Sequence, residues 1–276
     1  MTEPTRVLHV SDLHFGRPSV PEQIEAIERL IEQSGFDVVA VSGDLSQRAR
    51  AGEFQAAARF LRDAGKVSRT IVVPGNHDVA WWFAPLNVGK RHRKYENYEA
   101  YVSKDLEPTL RVNGATFIGV NTSHGVTPRT LTWNVRDISI LGDLTEKQFQ
   151  RVAREAAAAP ASDAKIVVMH HNPVQGELSG RHGLKRSSEV LRRFAEAGVT
   201  AVLCGHDHQE AVHLIEHTAG GVVVSTAGTV SNRSRGGRPS SMNVLTFSPH
   251  RVLVETLVWS ADGADFVAGP VQEFDR

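Results

Sequence analysis

Side chains able to bind a metal ion follow five short apolar runs of the sequence. Within a few residues of the end of each run comes an Asp, a His or an Asn. The five segments are Ser11-Asp12-Leu13-His14, Ser42-Gly43-Asp44, Pro74-Gly75-Asn76-His77-Asp78, His170-His171-Asn172-Pro173 and Gly205-His206-Asp207-His208. Imidazole, carboxylate and carboxamide groups without a thiolate suit iron, manganese, zinc or cobalt better than a calcium cage or a structural zinc site. The segments therefore predict a metal site assembled from distant parts of the chain.

Each segment taken alone is weak evidence for such a site. An Asp-x-His sequence after a strand is usually a solvated turn, and a His-x-His sequence is usually a surface pair. In an extended segment, however, Asp12 and His14, or His206 and His208, would point to the same side and converge on one small centre. Because all five segments follow predicted strands, at the end where parallel sheets place their functional sites, we expect them to meet.

Short β-branched or apolar runs alternate with amphipathic helical patterns through most of the chain, which predicts an α/β fold. The predicted strands lie at residues 7–10, 38–41, 70–73, 116–120, 166–169 and 201–203. The predicted helices lie at residues 21–33, 52–64, 145–158 and 187–197. After Gly205 the pattern changes to strands without helices, at residues 212–215, 222–226, 243–247 and 252–258. We expect this C-terminal part to be antiparallel.

The composition argues against several classes of protein. The 276 residues include 31 Lys plus Arg and 31 Asp plus Glu, so no overall field draws the chain to nucleic acid or to an anionic membrane. No run approaches the roughly 18 apolar residues that a membrane helix needs, and no export signal precedes the first strand. A single cysteine excludes an intrachain disulfide framework. We expect a soluble, cytoplasmic protein without nucleic-acid binding or membrane insertion; a homo-oligomer is left open.

No repeat, linker or abrupt change of composition divides the chain, so residues 1–276 are predicted to form a single domain. Residues 81–108, rich in aromatic and basic side chains, and residues 125–142 fit neither a helix nor a strand pattern. Both are predicted to be loops or caps over the site. The three tyrosines of the first stretch are predicted to pack on the core along a solvated helix rather than to stack on a nucleobase.

The motifs DLH, GD, GNHD, HH and GHDH, in this order, resemble those of the calcineurin-like metallophosphoesterase superfamily, and within it the bacterial cyclic-nucleotide phosphodiesterase-like branch. The resemblance spans most of the chain, from Asp12 to His208. It implies two facing mixed β-sheets flanked by helices, a four-layer α/β sandwich, around two divalent or mixed-valence metal ions. The implied ligands are Asp12, His14 and His208 for one ion, Asn76, His170 and His206 for the other, and Asp44 as the bridge.

The same resemblance points His77 at the substrate, where it would stabilise the transition state or protonate the leaving oxygen. Asp78 either orients an imidazole or caps a turn. Either member of the His170–His171 pair could be the ligand; His170 is preferred because it follows the strand directly, which leaves His171 a supporting role. Many members of the family carry another acid three residues after the GD motif, where this chain has Gln47. Any acidic partner of His77 must therefore come from elsewhere.

Residues 228–241 contain Arg233 and Arg235 among Gly and Ser, and resemble a loop near the metals in bacterial members of the family; a flexible surface loop is the equal alternative. Both arginines are candidates for contact with the substrate. Two metal ions could acidify a bridging water, and this hydroxide would attack a small phosphodiester such as a cyclic nucleotide. Three alternatives are also hydrolases: a phosphomonoesterase, a phospholipid-headgroup or glycerophosphodiester hydrolase, and a nuclease. The neutral net charge disfavours the nuclease. The alternative of another class is a metal-binding scaffold without turnover.

Overall fold

The computed structural model describes residues 3–80, 94–124, 141–180 and 183–276. Within these ranges the strands are β1 (Thr5–Val10), β2 (Val38–Val41), β3 (Arg69–Val72), β4 (Thr109–Val112), β5 (Ala115–Val120), β6 (Ala164–His171), β7 (Ala201–Gly205), β8 (Ala211–His217), β9 (Gly220–Thr226), β10 (Ser241–Phe247), β11 (Arg251–Ser260) and β12 (Asp265–Asp275). The helices are α1 (Pro21–Ser34), α2 (Ala51–Ala64), α3 (Glu96–Tyr101), α4 (Glu146–Ala158) and α5 (Ser187–Glu196), with one 3-10 turn at Asn76–Asp78.

The helix ends follow from local chemistry. Helix α1 begins on Pro21, whose missing N–H costs nothing at a first helical position, and is followed by Gly35 in the left-handed conformation that glycine adopts without strain. At the start of α4, the Thr145 hydroxyl accepts the Gln148 amide at 3.3 Å, while the Gln148 side chain accepts the Thr145 amide at 2.8 Å. This reciprocal capping box confirms the helix start predicted at Thr145.

The strands form two mixed sheets of six strands each. The first sheet has the order β12-β11-β10-β1-β2-β3, in which β1, β2 and β3 are parallel and the other pairs are antiparallel. The second sheet has the order β4-β5-β6-β7-β9-β8, in which β5, β6, β7 and β9 are parallel. Parallel strands present their carboxyl ends at one edge of a sheet, so each sheet brings its chemical motifs to a single edge.

Three clusters of buried hydrophobic side chains lie between the four layers of the fold, which are helices, sheet, sheet and helices. One cluster lies between the sheets and contains Val38 and Ala40 of β2 together with Ile166 and Val168 of β6. A second covers the outer face of the first sheet with α1, α2 and α3, and a third covers the outer face of the second sheet with α4 and α5. Because alternate residues of β2 enter different clusters, this strand is buried on both faces. The predicted sandwich of two mixed sheets flanked by helices is confirmed.

The structure corrects the sequence-based prediction at several points. Strand β9 pairs in parallel with β7, so the C-terminal part is not antiparallel throughout. Strands β4 and β12 were not predicted. Of the two stretches predicted as caps, residues 81–93 and 125–140 lie outside the described residues. Residues 94–108 contain α3, on which Tyr98 is fully buried and Tyr101 is exposed.

Two further predictions from the sequence apply to the whole chain, one about membrane insertion and one about the number of domains. Among the described residues, no helix is both long enough and apolar enough to cross a membrane. The core between the sheets takes side chains from both of them, as Val7, Leu245, Phe117 and Leu203 illustrate. We propose on this ground that the two sheets belong to one domain, as predicted for residues 1–276.

Candidate metal centre

The five motifs meet where the carboxyl ends of the two sheets face each other. Strands β1, β2 and β3 of the first sheet supply Asp12, His14, Asp44 and Asn76, and strands β6 and β7 of the second supply His170, His171, His206 and His208. Candidate ligand atoms form two groups, each within 4.8 Å: one contains Asp12, His14, Asp44 and His208, and the other contains His170, His171 and His206. The structure therefore brings every predicted ligand to one place.

The first group is buried and tightly packed. The Nε2 atom of His208 lies 3.1 Å from Asp12 Oδ1 and 3.1 Å from His14 Nε2. The His14 Nε2 atom is also 3.6 Å from Asp12 Oδ1. Two imidazole nitrogens and a carboxylate oxygen thus converge from both sheets. Such a convergence of unshared electron pairs is what a cation requires.

The second group is arranged around Asn76. Its Oδ1 atom lies 3.0 Å from His170 Nε2 and 3.0 Å from His206 Nδ1. These two imidazole nitrogens are 3.2 Å apart. The amide oxygen and the two ring nitrogens form a small triangle beside the first group, suited to a second ion.

Asp44 stands between the two groups. Its Oδ2 atom lies 3.8 Å from His14 Nε2 in the first group and 3.4 Å from His170 Nε2 in the second. The other oxygen, Oδ1, accepts a hydrogen bond from the His77 amide at 2.8 Å. One carboxylate thus faces both candidate metal positions, and its second oxygen orients the 3-10 turn that follows β3.

Hydrogen bonds to backbone carbonyls fix the orientation of two imidazoles. The Nδ1 atom of His170 lies 2.9 Å from the Ser42 carbonyl oxygen, and that of His208 lies 3.1 Å from the Arg233 carbonyl oxygen. Because a carbonyl can only accept, both Nδ1 atoms carry a hydrogen in these bonds. In the neutral rings each Nε2 atom is therefore left as a free electron pair facing the centre, the usual arrangement of a metal-binding histidine.

The two histidines of the His170–His171 pair have different surroundings. The Nε2 atom of His170 contacts Asp44 and Asn76. The Nδ1 atom of His171 lies 2.7 Å from the Thr122 hydroxyl, and its buried Nε2 atom has no hydrogen-bond partner among the described residues. The His171 ring centroid is 4.5 Å from that of His206. Both rings thus reach the centre, with His170 in contact with the carboxylate that faces both groups.

The backbone of the motifs is left-handed rather than extended. Positive φ angles occur at Asp12 (55°), His14 (45°), Asp44 (51°), His206 (73°) and His208 (55°). The described chain has eight non-glycine residues with positive φ, so five of them belong to this site. The expectation that Asp12 and His14 converge along an extended segment is therefore wrong. Such backbone costs about 1 kcal/mol or more per residue, and strain of this kind concentrates at functional sites.

Burial and mutual contact shift the pKa values of the centre. Burial lowers the pKa of His14 to about 4 and that of His206 to about 3, so both rings are neutral at neutral pH. Burial also lowers the pKa of His170, but the Asp44 carboxylate outweighs this effect and raises it to about 9. Burial raises the pKa of Asp44, but His170 outweighs it and holds this pKa below its usual range. His14 and His206 are thus in the neutral form that metals bind, whereas His170 would release a proton when a metal ion binds.

The donor set fits two metal ions. Asp12 Oδ1, His14 Nδ1 and His171 Nε2 are buried without a hydrogen bond among the described residues, which is costly in a protein interior. The facing nitrogens of His14 and His208 lie 3.1 Å apart, and those of His170 and His206 lie 3.2 Å apart. A cation beside each pair would bind these nitrogens, and the first cation would also give Asp12 Oδ1 a partner. The mixture of carboxylate, imidazole and amide oxygen matches iron, manganese, zinc or cobalt.

His77 lies beside Asp44 and is partly exposed. Its Nδ1 atom is 2.8 Å from the Gln47 carbonyl oxygen, so Nδ1 carries a hydrogen and donates it. Its Nε2 atom lies 3.3 Å from Nη1 of Arg233. An acidic partner for His77 was expected from elsewhere in the chain; among the described contacts, the backbone of Gln47 takes that place.

Asp78 acts on the backbone around the site. Its carboxylate accepts hydrogen bonds from the amides of Leu45, Ser46 and Gly75 at 3.1, 2.8 and 2.9 Å, and from the Ser46 hydroxyl at 2.9 Å. These bonds favour the ionised form, while burial and the nearby Asp44 carboxylate raise the pKa of Asp78 to about 7. Of the two roles considered for Asp78, the geometry favours the turn-capping one.

The two arginines predicted as substrate candidates behave differently. Arg233 directs its guanidinium to His77 and to the Gln47 side chain. Arg235 instead donates from Nε to the Asp207 carbonyl oxygen at 2.7 Å, and its side chain is 46% exposed. Only Arg233 of this pair therefore has a described side-chain contact with a residue of the predicted reaction centre.

Replacement of Gly75 by alanine is expected to weaken metal binding roughly 10- to 100-fold, the range typical of changes that displace a ligand's supporting contacts. A Cβ atom at this position would collide with the side chain and the amide of Asp44. Elemental analysis after dialysis against limiting manganese measures the effect. Gly52→Ala is the matched control because a Cβ there meets open space on α2. Equal metal content in both variants would contradict the close approach of Gly75 to Asp44.

The chain belongs to the calcineurin-like phosphoesterase family, whose sequence profile matches residues 5–210. No curated protein matches the chain in sequence. Among solved structures it is similar to the purple acid phosphatase PPD1 from yellow lupin (Lupinus luteus) seeds, at 13% identity and a TM-score of 0.70. That alignment covers 100% of this chain and 54% of the lupin enzyme, so the chain spans about half the length of this relative.

Two other solved structures share the fold. PhoD aligns at 10% identity with a TM-score of 0.64, covering 99% of this chain and 70% of PhoD. GAP50, described as the anchor in the inner membrane complex of Plasmodium, aligns at 15% identity with a TM-score of 0.61, covering 99% of this chain and 89% of GAP50. At these identities the similarity establishes the fold alone. The family is binuclear and metal-dependent, and this chain carries a matching candidate site.

Several residues that support the site were not predicted from the sequence. Ser42 and Gln47 contribute carbonyl oxygens that hold His170 and His77, and Thr122 contacts His171. The Thr229 hydroxyl donates to the Asp12 carbonyl oxygen at 2.7 Å. Backbone carbonyls carry no sequence signal, because every residue has one. Only the proximity of Ser42 and Gln47 to Asp44 along the chain could have indicated them.

Proposed function

We propose that this protein is a binuclear metal-dependent phosphodiesterase that acts on cyclic nucleotides or similar small phosphodiesters. The observation that carries the proposal is the position of Asp44, whose carboxylate faces both ligand groups at 3.8 and 3.4 Å. Membership of the calcineurin-like phosphoesterase family supports phosphoester hydrolysis in general. The restriction to diesters rests on the motif resemblance to the cyclic-nucleotide branch.

We assign seven ligands to two positions. Asp12, His14 and His208 hold the first ion, Asn76, His170 and His206 hold the second, and Asp44 bridges them. His170 rather than His171 is assigned because its Nε2 atom contacts both Asp44 and Asn76. His171 supports the second position from beside His206.

Two divalent ions at this site, when bound, would acidify a water molecule and polarise the phosphoryl oxygens. The residues of the chain contribute the rest. Asp44 Oδ1 accepts from the His77 amide and holds its backbone, and the Gln47 carbonyl accepts from Nδ1 and orients its ring. Its Nε2 atom lies 3.3 Å from Arg233 Nη1, and in the doubly protonated ring this atom would pass its proton to the leaving ester oxygen while Nδ1 keeps its hydrogen on Gln47. We assign His77 this role of general acid.

The substrate is proposed to be a small molecule. Equal numbers of basic and acidic residues provide no long-range field for a nucleic-acid polyanion. Small phosphodiesters need only the local positive charge of the centre and its neighbours. A cytoplasmic location remains a proposal made on the single cysteine, and a homo-oligomer is left open.

A second candidate, a phosphomonoesterase, is favoured by the fold similarity to a purple acid phosphatase. The non-enzymatic candidate, a metal-binding scaffold, is favoured by the similarity to GAP50, which is described as an anchor. Against the scaffold stands the full ligand set together with His77. A protein used only for binding has no need of an oriented imidazole next to two metal positions.

Hydrolysis of bis(4-nitrophenyl) phosphate beside 4-nitrophenyl phosphate tests the proposal, using protein reloaded with manganese. We expect turnover of the diester, abolished by EDTA and by Asn76→Ala, followed by turnover of one or more members of a cyclic-nucleotide panel. Turnover of the monoester alone would replace the proposal with a phosphatase. Bound manganese without turnover of either ester would establish the scaffold.

A further inference from the structure

The loop that follows β9, residues 227–240, is attached to the metal centre at three points. Thr229 donates to the Asp12 carbonyl, His208 donates to the Arg233 carbonyl, and the Arg233 side chain reaches His77. The loop lies beyond residues 5–210, which the family profile matches. It therefore contributes to the site from a part of the chain outside that profile match.

The Arg233 guanidinium is only partly used. Its Nη1 atom lies 3.1 Å from Gln47 Oε1 and 3.3 Å from His77 Nε2. The Nη2 and Nε donors have no hydrogen-bond partner among the described residues, and no described carboxylate lies within 4.0 Å of the guanidinium. By contrast, Arg235 lies 3.9 Å from Asp207, and Arg238 lies 3.2 Å from both Glu177 and Glu210. Arg233 alone of these three keeps its charge uncompensated.

The contact with Gln47 orients the Arg233 guanidinium without neutralising its positive charge. The Gln47 amide oxygen accepts from Nη1, which fixes the plane of the guanidinium beside His77. Because the amide is neutral, it leaves the positive charge available for another anion. A glutamate at this position, three residues after Asp44, would have formed an ion pair with Arg233 instead. The neutral residue at position 47 and the unpaired arginine are therefore complementary features.

We infer that Arg233, oriented by Gln47, binds the phosphoryl oxygens of the substrate beside His77. The free edge of the guanidinium, formed by Nε and Nη2, matches two oxygens of a phosphate group in the bidentate geometry that arginine favours. The inference rests on the proposed function, since it names the group that receives the substrate of that same site. Arg233 would therefore recognise the phosphoryl group itself, independently of the alcohol that is esterified to the phosphate.

Binding of inorganic phosphate to the manganese-loaded protein tests the inference by two readouts at fixed ionic strength. One is the dissociation constant from calorimetry, and the other is the inhibition constant against bis(4-nitrophenyl) phosphate hydrolysis. Arg233→Ala is expected to raise both constants roughly 10- to 100-fold, the usual effect of losing a charge-assisted bidentate contact. Manganese content should not change, because His208 is held by the backbone carbonyl of Arg233 and not by its side chain.

Three further variants sharpen the test. Gln47→Glu should raise the phosphate constants several-fold, because the new carboxylate would pair with Arg233. Arg233→Lys should recover part of the loss by restoring charge without the planar fork. Arg238→Ala is the matched control, since it removes the same charge from the same loop at a side chain paired with Glu177 and Glu210; its constants should stay within about twofold of the unmodified protein.

Phosphate binding in Arg233→Ala equal to that in Arg238→Ala, with manganese retained in both, would overturn the inference. So would a Gln47→Glu variant that binds phosphate as tightly as the unmodified protein. Failure of the proposed function has a different signature: the manganese-loaded protein would then hydrolyse the monoester alone or neither ester, while calorimetry with phosphate would still report the contribution of Arg233.

Discussion

Replacing Asp44 with alanine is expected to remove both metal ions and to lower kcat/KM for an aryl phosphodiester by roughly 10³-fold or more, about 4 kcal/mol in transition-state free energy. The carboxylate faces His14 on one side and His170 on the other, so no other side chain of the site can replace it. Its loss also releases the His77 amide, to which Oδ1 is bonded. Kinetics with bis(4-nitrophenyl) phosphate and elemental analysis of the same preparation measure both effects.

Asp63→Ala provides the control for Asp44→Ala, because Asp63 lies at the surface of α2 and its ion pair among the described residues is with the exposed Lys66. This control should retain two metal ions and full turnover. An Asp44→Ala protein that keeps both ions would refute the bridging role. An intact circular-dichroism spectrum distinguishes metal loss from unfolding.

Replacing His77 with alanine is expected to lower kcat by ~10²–10⁴-fold while leaving the metal content unchanged. The ring is held by the Gln47 carbonyl and stands outside the seven assigned ligands. A general acid matters most when the leaving group is a poor one, because an alkoxide needs a proton more than a nitrophenolate does. The loss should therefore be larger for a diester with an alkyl leaving group than for bis(4-nitrophenyl) phosphate.

His250→Ala is the matched control for His77→Ala, since His250 is exposed in the turn between β10 and β11. Its kinetics should equal those of the unmodified protein for both leaving groups. If His77→Ala slowed both diesters by the same factor, the imidazole would act by electrostatic stabilisation rather than by proton donation. If it slowed neither, His77 would have no part in the reaction.

The sequence predicted strands β2 and β6, which carry part of the site, because both are buried on both faces. Strand β2 is apolar throughout its four residues, and β6 has an apolar run from Ile166 to Met169, which gives an unambiguous signal. Strands β4 and β12 were missed for the opposite reason. Their residues are mostly exposed or half-buried, and β12 contains Gly269 and Pro270, which normally argue against a strand.

The residues gathered at the centre were predicted from strand order, but the way they converge was not. The left-handed backbone of Asp12 and His206 depends on contacts between the two sheets, such as the His206 amide bonded to Asp12 Oδ2 at 2.9 Å. The same holds for Arg233, whose position is set by a loop attached to Asp12 and His208. Contacts between residues roughly two hundred positions apart leave no local pattern in a sequence.

Manganese titration of the metal-free protein tests the central claim most directly, with calorimetry counting bound ions while bis(4-nitrophenyl) phosphate hydrolysis is followed in parallel. We predict two manganese ions per chain, with hydrolysis reaching its maximum only when both positions are filled. Saturation at one ion per chain, or full hydrolysis in the presence of EDTA, would contradict a two-metal centre built on Asp44.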